Sequence, residues 1–374
     1  MSQVFQGFRK SVSNAGAGGR PVLEFPVRDR SRGIERNRPQ PNAVLSERWW
    51  GRGAQLLGSR YAIMGGAMTW VSDSRLVASI SNAGAFGVLA GGALGPSALD
   101  REIAATFDLT DQPFGVNIIT FSPHFDAQLE ACIERRVSHI ILGGGIPSAE
   151  QIARAKKAGA KVLAFAASLP MADRAIRNGA DALIAEGREA GGHVGPLSTS
   201  VLVQELLPLF ERVPVFVAGG IGRGEMIVHY LAMGAAGCQL GTGFVCAHES
   251  SVHPKTKAAY LKAAGRDAVL SVQVDPDFRV TPVRALANKA SRAFVELQQQ
   301  AIQRYRAREL SRSEVQSEIE RFWAGRLRRA VVDGETEYGS LMAGQSVGFV
   351  TSEESAAAIV QELVAQAARS AASR

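Results

Sequence analysis

From residue 60 onward, short apolar runs alternate with amphipathic segments. Eight runs, at 61–64, 87–90, 115–119, 139–142, 161–165, 182–185, 215–218 and 237–240, are mostly apolar, and most are bounded by glycine. Strands covered on both faces read this way, because neither face has a position for a polar side chain. Between them, apolar residues recur at helical spacing and predict helices at 73–82, 149–158, 172–178, 199–207 and 225–233. The steps Gly84-Ala85, Gly159-Ala160, Gly179-Ala180 and Gly234-Ala235 each fall between a helix and the next strand. Glycine just past the last helical residue is the left-handed stop signal. One such stop per unit describes repeated β–α units. Eight strands within about 200 residues fit a closed (β/α)8 TIM barrel better than an open doubly wound sheet.

The pattern changes after the eighth run. Residues 267–340 are more polar, with an arginine- and glutamate-rich helical stretch from 288 to 326. They predict a helical insertion or cap after strand eight. A small-residue loop, Gly339-Ser340-Leu341-Met342-Ala343-Gly344-Gln345-Ser346, then leads to a last helix over 353–368, with Ile359, Leu363 and Ala367 on one face. The expected organisation is a basic flexible extension over 1–46, a barrel built from 47–266 and 341–374, and the cap over 267–340.

Charge changes this picture only at the N-terminus. The 374 residues carry a net charge of +7, and 46% are hydrophobic, enough for a sizeable core. Residues 1–46 hold eight basic side chains against three acidic ones, five of the seven net charges, so the body is near neutral. Phe25 is the one aromatic residue between the arginines, so no aromatic–basic interleaving accompanies them, which argues against nucleic-acid binding. No apolar h-region marks a secretory signal, and no run reaches the roughly 18 apolar residues of a membrane span. Cys132, Cys238 and Cys246 have no C-x-x-C spacing. They suggest neither a metal site nor a disulfide framework, and point to a reducing, cytoplasmic setting.

The candidate chemistry gathers where the strand runs end. In a barrel, catalytic side chains sit on the loops after the strands, and phosphate commonly binds after strands seven and eight. Gly219-Gly220 and Gly241-Thr242 hold those two places. Bare backbone N–H groups approach phosphate oxygens closely. His193 follows Gly191-Gly192 on the same rim, and a histidine there can move a proton near neutral pH. Gly65-Gly66-Ala67-Met68 follows the first strand, where small residues admit a flat ring. Asn117 interrupts an apolar strand, which a ligand-facing amide explains. Glu186 ends the sixth strand and could accept from a ligand or cap a helix. His124, His139, His229, His248 and His253 are weaker candidates, and no H-E-x-x-H or carboxylate cluster calls for a metal.

The motifs Gly65-Gly66-Ala67-Met68, Ser81-Asn82-Ala83-Gly84, Gly115-Val116-Asn117, Glu189-Ala190-Gly191-Gly192-His193, Ala218-Gly219-Gly220-Ile221, Gly241-Thr242 and Gly339–Gln345 occur in the order of one family. Over roughly residues 55–350 the chain resembles the nitronate monooxygenases, also called 2-nitropropane dioxygenases. The resemblance implies a TIM barrel, non-covalent FMN, and a catalytic base at His193. It also implies that Gly65, Gly66, Ala67, Met68, Asn117, Glu186, Gly192, Gly219, Gly220, Gly241, Thr242, Met342, Gly344 and Gln345 hold the flavin. The expected reaction is oxidation of alkyl nitronates or nitroalkanes, with a small-molecule substrate and O2 as partners and a homodimer admissible. The same segments resemble the flavin-dependent enoyl-acyl-carrier-protein reductases, so an NAD(P)H-dependent enoyl-thioester reductase is the alternative. The family's usual Gly-Thr-Arg reads Gly241-Thr242-Gly243 here.

Overall fold

A computed structural model describes residues 47–373; the basic extension expected over 1–46, like Arg374, lies outside the described residues. Strands β1 (Ile63–Gly65), β2 (Phe86–Ala90), β3 (Gly115–Ile119), β4 (His139–Gly143), β5 (Lys161–Ala166) and β6 (Ala182–Glu186) are followed by the two-residue β7 (Gly192–His193), then β8 (Val215–Ala218) and β9 (Gly237–Leu240). All except β7 form one closed parallel barrel in the order β1-β2-β3-β4-β5-β6-β8-β9. The eight-stranded TIM barrel expected from the apolar runs is therefore the fold. The first strand runs over 63–65 rather than 61–64. The Tyr61 N–H is spent on the Gly84 carbonyl, outside the ladder.

Helix α1 (Glu47–Leu57) precedes the barrel. Helices α2 (Ser74–Asn82), α3 (Pro96–Leu109), α4 (Phe125–Glu134), α5 (Ala149–Lys157), α6 (Leu169–Arg177), α7 (Thr199–Leu206) and α8 (Gly224–Ala232) follow successive barrel strands. The expected stops are in place: Gly84, Gly159, Gly179 and Gly234 have φ of +86, +88, +104 and +102°. That left-handed turn costs a residue with Cβ about 1–2 kcal/mol. Because the strands are parallel, every β–α loop opens on the same rim. Strand register aligns three of the loop entrances: Glu186 pairs with Ala218, Ala218 with Gln239, and Leu240 with Gly65.

After β9 come the short α9 (Thr242–Val245) and α10 (Pro254–Lys262). The region expected as a helical cap begins with two strands, β10 (Ala268–Leu270) and β11 (Val283–Leu286). They form a second sheet, in the order β10-β11-β7, that captures the histidine loop. Only then do the helices appear: α11 (Lys289–Arg306), α12 (Arg312–Arg321) and α13 (Arg326–Val331). α11 and α12 close over a separate core of Phe278, Phe294, Ala301, Ile302, Val315 and Ile319, whereas Ala330 and Val331 of α13 join the main core. Finally α14 (Ala356–Ala372) packs against α8 and α2 and completes the outer ring. Gln366 on α14 accepts from the Gly224 N–H at the start of α8, at 2.7 Å.

Candidate active site

The loop after β6 is built around a carboxylate. Glu189 Oε2 accepts from the Thr199 N–H at 2.6 Å and from the Thr199 hydroxyl at 2.7 Å. A carboxylate at the start of α7 meets unsatisfied helical N–H groups and the positive end of the helix dipole. The Glu189 carbonyl accepts from the Gln345 N–H at 2.9 Å. Here the segment 342–345 lies directly on the loop. A Cβ on Gly191 would lie 2.6 Å from the Gly344 nitrogen, so no other residue fits there without moving one of the two chains. The Gly344 N–H in turn donates to Thr242 Oγ1 at 3.0 Å.

His193 is set by β7. It pairs with Val283 of β11, and Gly192 pairs with Arg284. The imidazole is partly open to solvent, yet desolvation by the atoms packed around it disfavours its charged form and holds its pKa below the usual 6.5. Among the described residues it makes no hydrogen bond. A neutral ring with an uncommitted nitrogen can accept a proton.

The two glycine loops adjoin the loop that carries it, one against residues 187–190 and the other through Gly344, which touches both Gly191 and Thr242. Gly219 and Gly220 have φ of +103° and +73°. A Cβ on Gly219 would lie 3.0 Å from the Gly187 carbonyl oxygen and from the Ala190 nitrogen, which places this loop against the one bearing His193. Among the described residues the N–H groups of Gly219, Gly220 and Gly241 have no acceptor. All three glycines are partly exposed, so their donors remain available to a ligand.

Glu186 and Gln239 add two unspent polar groups. The Glu186 carboxylate ends β6 with no hydrogen bond among the described residues, and burial pushes its pKa up to about 8. Gln239, on β9, is 8% exposed, and its Oε1 has no partner among the described residues. Its side chain lies against Gly66, where a Cβ would meet the Gln239 amide carbon at 3.1 Å. Met68 reaches Gly241, with Sδ 3.3 Å from the place a Cβ would take. The loop after β1 thus joins the loop after β9.

Asn117 has a partner within the barrel. Its Nδ2 donates to the Ile141 carbonyl at 2.9 Å, so the protein itself meets part of its hydrogen-bonding need. It lies on β3, across the barrel from β8. Gly65 likewise has a packing reason: a Cβ there would lie 2.6 Å from Ile80 Cδ1. Glu186 caps no helix among the described residues. His139 is buried, with Nε2 2.8 Å from the Leu56 carbonyl oxygen, and burial lowers its pKa to about 4. His253 accepts from the Lys255 N–H at the start of α10.

The structure brings together the loops carrying Gly66–Met68, Glu189–His193, Gly219-Gly220, Gly241-Thr242 and Met342–Gln345. Sequence reasoning misses Gln239, Thr199 and Arg284. Gln239 carries the same signal as Asn117, an amide within an apolar strand. A phosphorylated, flat heterocycle with a polar edge suits this set, since the bare amides of Gly219, Gly220 and Gly241 are donors without acceptors while Glu186 and Gln239 offer an unsatisfied edge.

A family profile for nitronate monooxygenase matches residues 53–124 and 119–366. A (3aS,4S,5R,7aS)-5-hydroxy-7a-methyl-1-oxo-octahydro-1H-indene-4-carboxyl-CoA dehydrogenase from Mycobacterium tuberculosis is 31% identical over 338 residues, 84% of this chain and 94% of that protein. Its namesake from Rhodococcus jostii is 36% identical over 223 residues, which span 59% of this chain and 62% of that protein. Nitronate monooxygenase from Paraburkholderia phytofirmans is 32% identical over 266 residues, 59% of this chain and 72% of that protein. Among solved structures, FabK from Thermotoga maritima superposes with a TM-score of 0.77 at 35% identity, covering 86% of this chain and 97% of that one. Nitroalkane oxidase from Streptomyces ansochromogenes superposes at 0.72 with 25% identity, covering 86% of this chain and all of that one.

Fold, site and relatives together define a flavin-dependent TIM-barrel oxidoreductase. The chain belongs to the nitronate monooxygenase family.

Proposed function

We propose that the protein is an FMN-dependent oxidoreductase of alkyl nitronates and nitroalkanes, with His193 as its base and O2 as the final oxidant. One observation carries this reading. An imidazole whose surroundings disfavour its charge, free of protein hydrogen bonds among the described residues, stands on the loop whose residues 187–190 meet the Gly219-Gly220 turn, and that turn and Gly241 carry unspent amides. Those amides and Thr242 are assigned to the phosphate. Gly65–Met68, Asn117, Glu186 and Gln239 are assigned to the ring, and Gly192, Met342, Gly344 and Gln345 to the wall beside it. Bound FMN supplies an electron acceptor for the organic substrate. His193 takes the proton from the carbon bearing the nitro group. Cys132, Cys238 and Cys246 are buried free thiols, in keeping with a reducing cytoplasmic setting.

The test is a visible spectrum of the FMN-loaded protein, followed by anaerobic mixing with ethylnitronate. Bleaching of the flavin without a pyridine nucleotide supports the proposal. An oxidised flavin that ethylnitronate leaves unchanged and NADPH reduces would overturn it.

The second reading, an NAD(P)H-dependent enoyl-thioester reductase, is favoured by the Mycobacterium tuberculosis relative. Its name specifies a coenzyme A thioester, and it aligns over nearly its whole length. NADPH consumption dependent on crotonyl-CoA distinguishes it.

A further inference from the structure

Arg284 is a buried arginine on the sheet that captures His193, and the chemistry proposed above leaves it without a role. It is 6% exposed. Among the described residues its guanidinium has no carboxylate within ion-pairing distance. Instead Nε donates to the Arg188 carbonyl at 3.0 Å, and an Nη group donates to the Ala268 carbonyl of β10. The Glu189 carboxylate favours the charge from beyond ion-pairing distance, but burying a guanidinium is costly, and a methionine or leucine would fill the same position in the sheet without that cost. The cation therefore needs a local reason.

The register supplies one. Arg284 stands directly opposite Gly192, one residue before His193, in the β11–β7 pair. Its backbone strand thus lies along one end of the segment 188–193, and its side chain reaches the other end at the Arg188 carbonyl. β7 is only two residues long, so the ladder alone leaves residues 188–191 without strand pairing. The next bond in line runs from the Val194 N–H to the Pro282 carbonyl at 3.1 Å. Two residues further along β11, the Leu286 N–H donates to the Leu341 carbonyl, which leads into the segment lying on Gly191.

We infer that Arg284 is a positioning residue for His193: by bridging the carbonyls of Arg188 and Ala268, it ties the base-bearing loop to the sheet of the inserted region. The inserted region, together with the barrel's α7, then holds the reactive imidazole in place. This rests on the reading of His193 as the base.

The experiment uses the full FMN-loaded chain with Arg284→Met and, as the milder change, Arg284→Lys. Hydrogen exchange over residues 187–195 is measured first, beside β8 and β9 as internal controls. Anaerobic flavin reduction is then followed with neutral nitroethane and with preformed ethylnitronate. Arg284→Met is expected to speed exchange over 187–195 by about tenfold, with β8 and β9 unchanged. It is expected to slow reduction by nitroethane by about tenfold to a hundredfold, since misplacing a catalytic group by about 1 Å costs up to that much. Ethylnitronate, which needs no proton removed, stays within about twofold, and Arg284→Lys falls between wild type and Arg284→Met. Unchanged exchange over 187–195, or equal losses on both substrates together with loss of FMN, overturns the inference. If the unsubstituted protein is reduced by neither substrate, the base reading fails. The exchange comparison then decides alone whether Arg284 holds the loop.

Discussion

Glu189 and Thr199 are joined twice, by the backbone N–H at 2.6 Å and by the hydroxyl at 2.7 Å, both to the same carboxylate oxygen. One side chain thereby fastens the loop that carries His193 to the first turn of α7. Charge-assisted bonds of this kind are roughly twice as strong as neutral ones. Replacing Glu189 by Gln keeps an acceptor but removes the charge facing the helix. The expected cost is about 1–3 kcal/mol in urea unfolding, with faster hydrogen exchange at Thr199. An unchanged midpoint would show that the contact adds nothing to the fold.

Gly220 sits at φ +73°, and a Cβ there would lie 2.9 Å from Glu189 Cβ. Gly220→Ala therefore combines a strained backbone, costing about 1–2 kcal/mol, with a push on the Glu189 loop. Titration of the apoprotein with FMN, read by flavin fluorescence, is expected to show at least about tenfold weaker binding, since about 1.4 kcal/mol is one decade of affinity. Affinity within twofold of wild type would remove this loop from the phosphate site.

Glu186 makes stability depend on pH in a defined direction. Its carboxyl titrates near 8 in the folded chain, against an ordinary 4.5. Between those values the unfolded chain ionises this group while the folded chain keeps it protonated. Wild type therefore loses stability relative to Glu186→Gln as pH rises from about 4.5 to about 8, and the gap is constant above that. A tenfold difference in proton affinity between the two states is worth about 1.4 kcal/mol. Since solvent reaches part of the side chain, a gap on the order of 2 kcal/mol is expected at pH 8. Thermal unfolding of the flavin-free proteins across pH 5–9 checks it; parallel curves contradict the assignment.

The pKa of His193 lies below 6.5 because its surroundings disfavour charge. Turnover of nitroethane should therefore fall as pH drops through a value under 6.5. Preformed ethylnitronate should lack that acid limb. A steady-state pH profile with both substrates reads the difference. A limb shared by both would move the titration off the proton-transfer step.

Much of the barrel is legible in the sequence because doubly covered parallel strands leave contiguous apolar runs, and because helix stops need glycine. Gly84, Gly159, Gly179 and Gly234 announce themselves in this way. The small sheet is not legible. β7 is Gly192-His193, too short for any period, and its partner Val283-Arg284 lies some ninety residues away and becomes a strand only by pairing with it. The polar stretch that reads as purely helical hides β10 and β11 for the same reason. Asn117 draws notice as an amide in an apolar strand, whereas Gln239, with the same signal and an unpartnered oxygen, sits in a shorter run bounded by glycines that claim the attention. Arg284 gives no sign, because an arginine in a half-polar run reads as solvent-facing until the fold buries it.

The most direct measurement is anaerobic single turnover of wild type and His193→Asn, each loaded with FMN, with neutral nitroethane and with preformed ethylnitronate. General-base catalysis typically contributes about 10²–10⁴-fold. Flavin reduction by nitroethane is therefore expected to slow at least about a hundredfold in His193→Asn, while reduction by ethylnitronate stays within a few-fold of wild type. Equal slowing with both substrates, or none with either, would contradict the assignment of His193 as the base beside the flavin.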